Sequence, residues 1–161
     1  MTTPPDLSFE YRLQAQGYDY IAGVDEAGRG AWAGPVVAGA AVLPLDRFDL
    51  VRALNGVNDS KQLTPALREA MVPLILDAAR ATGVGHATHE EIDRLGIVPA
   101  TRLAMRRALD ALAPPPDALL VDAVDLTAFG LPCTPLIRGD QRSLSIAAAS
   151  ILAKVVRDQF M

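Results

Sequence analysis

The stretch that decides the fold lies between residues 20 and 43 and reads YIAGVDEAGRGAWAGPVVAGAAVL. Residues 20–24 form a short β-branched and aromatic run, which predicts a strand whose carboxyl end delivers Asp25 and Glu26. Gly28-Arg29-Gly30 is typical of a turn, and the Val/Ala-rich residues 35–43 predict a second buried strand. The two strands are therefore expected to pair as a hairpin.

Helix and strand patterns alternate through the rest of the chain. Thr64-Pro65 predicts an N-cap followed by a first-turn proline, opening a helix to about Ala81. The apolar stripe of this helix is expected to consist of Leu67, Met71, Leu74 and Ile75. The remaining predicted elements are an edge strand at 84–88, a helix at 97–112, strands at 118–121 and 134–137, and a largely buried helix from residue 143. This order predicts one α/β domain with a mixed sheet and helices packed on it.

Composition and charge fit one soluble globular domain spanning residues 1–161. Half of the residues are hydrophobic and the net charge is −4, which argues against disorder and against a large phosphate-neutralising surface. Cys133 is the only cysteine, which excludes an intramolecular disulfide and a cysteine-rich zinc cluster. No charged-then-apolar leader opens the chain, and the uncharged stretch 31–45 is shorter than the ~20 apolar residues of a membrane-spanning helix. We therefore expect a cytoplasmic protein.

Acidic residues follow three separate apolar runs. Asp25 and Glu26 close the first strand, Asp122 follows residues 118–121, and Asp140 lies just before the last helix. If the strands bearing Asp25 and Asp122 are parallel neighbours, their carboxylates emerge at one sheet edge, where α/β proteins bind ligands. Asp140 can close the group. Four clustered carboxylates repel one another, so their pKa values should spread apart and the fold should be strained until divalent cations bind.

The chemistry of these acids favours a hard metal ion. All four offer oxygen ligands, and neither His86 nor His89, to which we assign no role, lies at a strand end, so Mg²⁺ or Mn²⁺ is favoured over Zn²⁺. Two such ions about 3.5–4 Å apart can activate a water and stabilise the leaving oxygen in phosphodiester hydrolysis. From the residues alone an alternative stays open, because an isolated Asp at these places is commonly a turn or N-cap residue.

Two loops offer groups for nucleic-acid contact. Gly28-Arg29-Gly30 could bind an anion, because glycines allow close backbone approach and their N–H groups can face an oxygen, although a plain glycine turn is the alternative. Ser60 and Lys61 offer a hydroxyl and an ammonium to phosphate, with an ordinary solvated loop as the alternative. Trp32 could stack on a base or pack against the sheet.

Taken together, these segments resemble the ribonuclease HII family. The opening motif at 20–30, with Ala-Gly-Pro-Val-Val at 33–37, is similar to the start of that family's pattern. Further motifs follow in family order: DSKQL at 59–63, the segment 92–105, LVD at 120–122, GD at 139–140 and SIAAASILAK at 145–154. The resemblance covers residues 20–158 and implies an RNase H-like fold with a mixed five-stranded sheet.

The resemblance also implies a function and residue roles. It implies an endoribonuclease that uses Mn²⁺ or Mg²⁺ to hydrolyse the RNA strand of RNA–DNA hybrids, including single ribonucleotides embedded in duplex DNA, leaving 5′-phosphate and 3′-hydroxyl ends. A monomer whose partner is nucleic acid, with no membrane, is expected. The roles implied by motif are metal-binding catalytic acids at Asp25, Glu26, Asp122 and Asp140, readers of the ribose 2′-hydroxyl at Gly28, Arg29 and Gly30, and contacts to the nucleic-acid backbone at Ser60 and Lys61.

The sequence departs from the family pattern in two places. Ala123 follows Asp122 where the family usually has glycine, a change that is tolerated if φ of residue 123 is negative. The chain also stops at Met161, without the family's C-terminal Gly-Tyr motif, whose tyrosine helps to recognise the RNA–DNA junction. We therefore expect residues 1–17 to form an N-terminal extension and the C-terminal part of the family domain to be missing. The alternative function is a catalytically weak or inactive nucleic-acid-binding fragment, while a DNA-cleaving nuclease of the same fold is disfavoured by Gly28-Arg29-Gly30.

Overall fold

The computed structural model describes residues 3–30 and 33–161, which form a mixed sheet with helices packed on it. The strands of the sheet are β1 Ile21–Ala27, β2 Val36–Val42, β3 Ala81–Ala87, β4 Ala118–Asp122 and β5 Cys133–Leu136. The helices are α1 Ser8–Ala15, α2 Leu50–Ala53, α3 Pro65–Ala78, α4 His89–Leu95, α5 Ile97–Asp110 and α6 Leu144–Phe160. Short 3₁₀ turns occupy Ser60–Gln62, Thr127–Phe129 and Gly139–Gln141. No helix in these described ranges is long and apolar enough to cross a membrane.

The sheet has the strand order β3-β2-β1-β4-β5. β1 and β2 form the predicted antiparallel hairpin, with Val24 opposite Ala40, and β3 adds a third antiparallel strand at one edge. On its other side β1 pairs in parallel with β4, which pairs in parallel with β5. The predicted mixed five-stranded sheet is therefore confirmed, and its central strand β1 lies beside β4 as the acidic cluster requires.

Helices α5 and α6 cover the two faces of the sheet, and α6 approaches it closely. A Cβ placed on Gly23 of β1 would lie 2.5 Å from the amide nitrogen of Ile146, and one on Gly39 of β2 would overlap the carbonyl oxygen of Ala149. Real Cβ atoms do not approach backbone so closely, so only glycine at these positions lets α6 lie directly on the strands. The buried helix predicted from residue 143 is thus confirmed, with the Ser143 hydroxyl capping its first turn.

Helix α3 begins as predicted but ends earlier and buries a different face. The Thr64 hydroxyl accepts from the Leu67 amide as the N-cap. The helix ends at Ala78 rather than about Ala81, because the Arg80 amide already donates to Val42 of β2 at 2.8 Å and leads into β3. The predicted apolar stripe is wrong in part, since Leu67 and Leu74 are 47% and 43% exposed.

The buried face of α3 carries Arg68 beside Ile75 and Ala78. Arg68 is tolerated there because its guanidinium donates to the carbonyls of Ser60 and Leu63, each at 2.8 Å. A buried charged group needs such partners, and hydropathy alone does not reveal them.

The sequence analysis predicted no helix at the positions of α1, α2 and α4. Helix α4 starts with a capping box, in which the Thr88 hydroxyl accepts from the Glu91 amide and the Glu91 carboxylate accepts from the Thr88 amide. The Thr-x-x-Glu spacing of this box is readable in the sequence. Helix α1 is short and weakly amphipathic, and it is held by tertiary contacts, including the buried Glu10 carboxylate, which accepts from the amide and hydroxyl of Ser145 at the start of α6.

Candidate metal centre

Three of the predicted acids converge at one edge of the sheet. The parallel register aligns Val24 of β1 with Val121 of β4. Asp25 and Asp122, the next residues of these two strands, therefore lie side by side. β5 leads from the same edge into the 3₁₀ turn that carries Asp140. Carboxylate oxygens of Asp25, Asp122 and Asp140 all lie within 4.8 Å of one another, and they form the candidate metal centre.

Glu26 lies beside this group rather than inside it. Its oxygens fall outside the set within 4.8 Å. The two groups still interact, because burial and then the charge of Glu26 raise the pKa of Asp25, while burial and the charge of Asp122 raise the pKa of Glu26. One carboxylate oxygen of Glu26, Oε2, is buried and has no hydrogen-bond partner among the described residues. A buried carboxylate oxygen without a donor is costly, and a bound cation would satisfy it.

Burial and neighbouring negative charges raise the pKa values of Asp25, Glu26 and Asp140. For Asp25 the main cause is burial, followed by the charges of Glu26, Asp122 and Asp140. Burial also raises the pKa of Glu26. The pKa of Asp140 rises to about 7, through burial first and then through a hydrogen bond with the Asp59 carboxyl and the charge of Asp122. The cluster is therefore an electrostatically unfavourable arrangement until positive charge enters it.

Asp59 is a fifth acid at this site, and the sequence analysis assigned it no role. Its Oδ1 accepts from the Lys61 amide at 3.0 Å and its Oδ2 accepts from Gln141 Nε2 at 3.2 Å, while its carboxyl also pairs with that of Asp140. Asp59 therefore links the loop that carries Lys61 to the turn that carries Asp140. Its place directly before Ser60 in the DSK motif was a signal, but an Asp before a short turn is commonly only a cap.

Ser60 and Lys61 have different environments. Ser60 is buried, and its hydroxyl accepts from the Ser150 hydroxyl of α6 at 2.8 Å. The Ser60 hydroxyl is therefore inside the protein and already bonded, and its predicted contact with a nucleic-acid backbone stays a prediction. Lys61 is exposed, and its ammonium is available to a phosphate.

Gly28-Arg29-Gly30 directly follows β1, and residues 33–35 lead into β2. Gly28 has φ +92°, a left-handed conformation, and a Cβ there would lie 2.6 Å from Cδ of Arg157 and 2.8 Å from the Pro35 carbonyl oxygen. Arg29 and Gly30 are exposed, and the charge of Arg29 acts to lower the pKa of Glu26, against the dominant effect of burial. Trp32 lies outside the described residues.

Ala123 does not meet the condition under which alanine would be tolerated at this position, a negative φ. Its φ is +61°, in the left-handed region that favours glycine. The conformation is imposed from both sides, because the Ala123 amide donates to Leu136 at 2.9 Å while the Asp122 carboxylate accepts from the Gly139 amide at 3.0 Å. The alanine is therefore strained at a position adjacent to one of the clustered acids.

The two histidines lie away from the acids, as expected. The ring of His86 packs on that of Phe160 with centroids 5.1 Å apart, and His89 lies on the exposed first turn of α4 beside Glu90. Within the described ranges, the candidate cluster consists of carboxylates alone.

Comparison with known proteins gives one consistent result. A family model described as Ribonuclease HII matches residues 22–161. Ribonuclease HII of Chloroflexus aurantiacus is 57% identical over 157 residues, which are 98% of this chain and 74% of that relative. Ribonuclease HII of Syntrophotalea carbinolica is 56% identical, over 96% of this chain and 72% of that relative. Among solved structures, ribonuclease H2 from Pyrococcus horikoshii OT3 superposes with a TM-score of 0.75 at 35% identity, covering 87% of this chain and 72% of that one.

Proposed function

Because the chain belongs to the ribonuclease HII family, whose members are metal-dependent ribonucleases, we propose that it hydrolyses the RNA strand of RNA–DNA hybrids, including single ribonucleotides embedded in duplex DNA. The proposed cleavage is endonucleolytic and leaves 5′-phosphate and 3′-hydroxyl ends. The observation that carries the proposal is the convergence of Asp25, Asp122 and Asp140 within 4.8 Å, with Glu26 beside them. The RNase H-like fold predicted from the sequence is confirmed by the solved relative.

The proposed metal ligands are Asp25, Glu26, Asp122 and Asp140. Their environment fits divalent cations, because burial and the charges of the neighbouring carboxylates raise the pKa of Asp25, and Oε2 of Glu26 is buried without a hydrogen bond from a described residue. All donors are hard oxygens, which favours Mg²⁺ or Mn²⁺. A pair of such ions, when bound, supplies activation of the attacking water and charge stabilisation at the leaving oxygen. The chain itself holds the ligands in place, as the Gly139 amide does for Asp122.

Two exposed elements flank these acids and are proposed to hold the substrate. Gly28-Arg29-Gly30 begins at the end of β1, two residues after Glu26, and we assign it the ribose 2′-hydroxyl. Among the described residues, no atom lies within 4 Å of the place where a side chain at Gly30 would start, which would let a ribose approach its backbone. Lys61 is exposed and joined to the acids through Asp59, and it is assigned a backbone phosphate.

Cleavage of defined duplexes tests this function. The purified chain is incubated with Mn²⁺ or Mg²⁺ and duplex DNA carrying one ribonucleotide, a long RNA–DNA hybrid, or an all-DNA duplex. We expect cleavage of the first two at the ribonucleotide with a 3′-hydroxyl product, and none of the third. Asp25→Asn is expected to abolish cleavage, whereas Asp110→Asn, which changes an exposed acid at the end of α5, should leave it unchanged.

The result also separates the alternative functions. Binding of the ribonucleotide duplex without cleavage above the Asp25→Asn background would replace the proposal with the nucleic-acid-binding fragment. Cleavage of the all-DNA duplex would replace it with a DNA-cleaving nuclease of the same fold. Thermal unfolding with Mn²⁺, Mg²⁺ or Zn²⁺ tests the metal preference, and an Asp25→Asn variant stabilised by Mn²⁺ as much as the unsubstituted chain would contradict the assigned ligands.

A further inference from the structure

We propose that Arg157 of helix α6 is a positioning residue that fastens the loop between β1 and β2 and so holds Gly28-Arg29-Gly30 ready for the ribose. The inference rests on the proposed role of that loop in reading the substrate. Arg157 is buried, lies outside the acidic cluster and has no role in the hydrolysis proposed for the four acids.

Arg157 donates hydrogen bonds to the part of the loop that leads into β2, at Ala33 and Pro35. Its side chain is buried, with the residue 7% exposed, and its Nε donates to the Pro35 carbonyl at 3.1 Å while an Nη donates to the Ala33 carbonyl at 3.0 Å. In the part of the chain that the structure describes, its guanidinium forms no ion pair with a carboxylate. The charge of a buried arginine is thus satisfied by two loop carbonyls, and hydrogen bonds from a charged donor are strong.

The Arg157 side chain also packs against Gly28, where the loop leaves β1. A Cβ at Gly28 would lie 2.6 Å from Cδ of Arg157 and closer still to its Nε, so the arginine occupies the space that a side chain at residue 28 would need. Arg157 therefore touches the loop where it leaves β1, at Gly28, and where it returns to β2, at Ala33 and Pro35. Because one planar guanidinium contacts both ends of the loop, it fixes the distance between them.

Helix α6 holds the second substrate loop in the same way. Ser150 donates to Ser60, the neighbour of Lys61, and Ser150 and Arg157 are two helical turns apart on one face of α6. The helix is itself seated directly on Gly23 and Gly39 of the sheet. One rigid element thus sets the position of both proposed substrate contacts relative to the acids on β1, and Arg157 is its link to the ribose-reading loop.

The test compares Arg157→Met, Arg157→Lys and Arg107→Met. Methionine keeps the apolar stem of Arg157 and removes its donors, while lysine can still reach one carbonyl. Arg107 is the matched control because it also donates to a backbone carbonyl, that of His86 at 2.8 Å, but on β3 at the far edge of the sheet. All variants are first checked for folding by thermal unfolding, and Arg157→Lys keeps the test valid if Arg157→Met does not fold.

Amide hydrogen exchange gives the direct readout. Peptides covering residues 28–36 are expected to exchange at least about tenfold faster in Arg157→Met, because losing hydrogen bonds from a charged donor shifts a local equilibrium by roughly that factor. Arg157→Lys should show an intermediate change and Arg107→Met none. Exchange in these peptides that matches the Arg107→Met control, or that rises equally throughout the protein, would overturn the proposal.

Kinetics on the single-ribonucleotide duplex give the functional readout. A loosened loop must be ordered on binding, so KM should rise about tenfold in Arg157→Met with kcat nearly unchanged, and Arg157→Lys should restore part of the loss. Stabilisation by Mn²⁺ should persist, since the acids are untouched. A loop that exchanges faster without any change in KM would overturn the link to the substrate. If the unsubstituted chain cleaves no ribonucleotide, the proposed function fails, and the exchange data alone still decide whether Arg157 fastens the loop.

Discussion

Replacing Asp140 by Asn is expected to stabilise the metal-free protein above neutral pH. Burial, the hydrogen bond with Asp59 and the charge of Asp122 raise the pKa of Asp140 from 3.8 to about 7. Ionising Asp140 in the folded state therefore costs free energy that is not spent in the unfolded chain. At about 1.4 kcal/mol for each pH unit between pKa 3.8 and about 7, the ionised Asp140 carboxylate lowers the free energy of unfolding by at most about 4 kcal/mol.

The pH dependence of this gain has a definite sign. A raised carboxyl pKa means that the folded protein binds more protons than the unfolded chain between about pH 4 and pH 7, so the stability of the unsubstituted protein falls as the pH rises through this range. Asn does not titrate. The advantage of Asp140→Asn should therefore be absent below about pH 4, grow toward pH 7, and stay constant above it.

Urea and thermal unfolding in EDTA between pH 4 and pH 8.5 measure the effect. For a chain of this size each kcal/mol shifts Tm by about 2–4 °C, so the largest expected gain is on the order of 10 °C at pH 8. Asp125→Asn is the control, because hydrogen bonds from the Thr127 hydroxyl and amide lower the pKa of Asp125, and its removal should not stabilise. An Asp140→Asn variant that gains nothing at pH 8, or keeps the same gain at pH 4, would refute the reasoning.

Three further substitutions have expected outcomes. Lys61→Met should weaken binding of a hybrid duplex and reduce the salt slope of log K by about 1, measured by anisotropy in a KCl series, with unchanged stability because Lys61 is exposed; an unchanged slope would contradict the phosphate contact. Ala123→Gly should raise the free energy of unfolding in urea by up to about 1 kcal/mol, since a φ of +61° strains alanine, and a loss of stability would argue against that strain. Gly23→Ala should lower the free energy of unfolding by about 3 kcal/mol, because the new Cβ would lie 2.5 Å from the Ile146 amide nitrogen. An unchanged free energy of unfolding would contradict the close packing of α6 on β1.

Local patterns in the sequence determined the elements that carry the site. The apolar run before Asp25, the glycine turn at 28–30 and the Thr64-Pro65 cap each act through neighbours within a few residues, so β1, its turn and the start of α3 could be predicted without knowing their partners. The end of β4 was predicted to within one residue, whereas β1 continues to Ala27, three residues beyond its predicted end. The order of elements allowed β1 and β4 to be parallel neighbours, and on that condition the sequence predicted the approach of Asp25 to Asp122.

Packing between distant elements decided which residues are inside. Leu67 and Leu74 are as apolar as Ile75, yet they face solvent, whereas Arg68 lies in the buried face of α3. On that face the guanidinium of Arg68 donates to the Ser60 carbonyl, which compensates for its burial. A hydropathy pattern records how apolar a side chain is, and it does not record where its hydrogen-bond partners will be.

The sequence by itself determined which acids are available and which strand ends carry them. Only the tertiary structure decided that Asp59 joins Asp140, that Ser60 turns inward to Ser150, and that Ala123 takes a left-handed conformation. These features depend on electrostatic interactions and hydrogen bonds between segments far apart in the chain. The strength of such interactions is set by distance in space, which the order of residues does not specify.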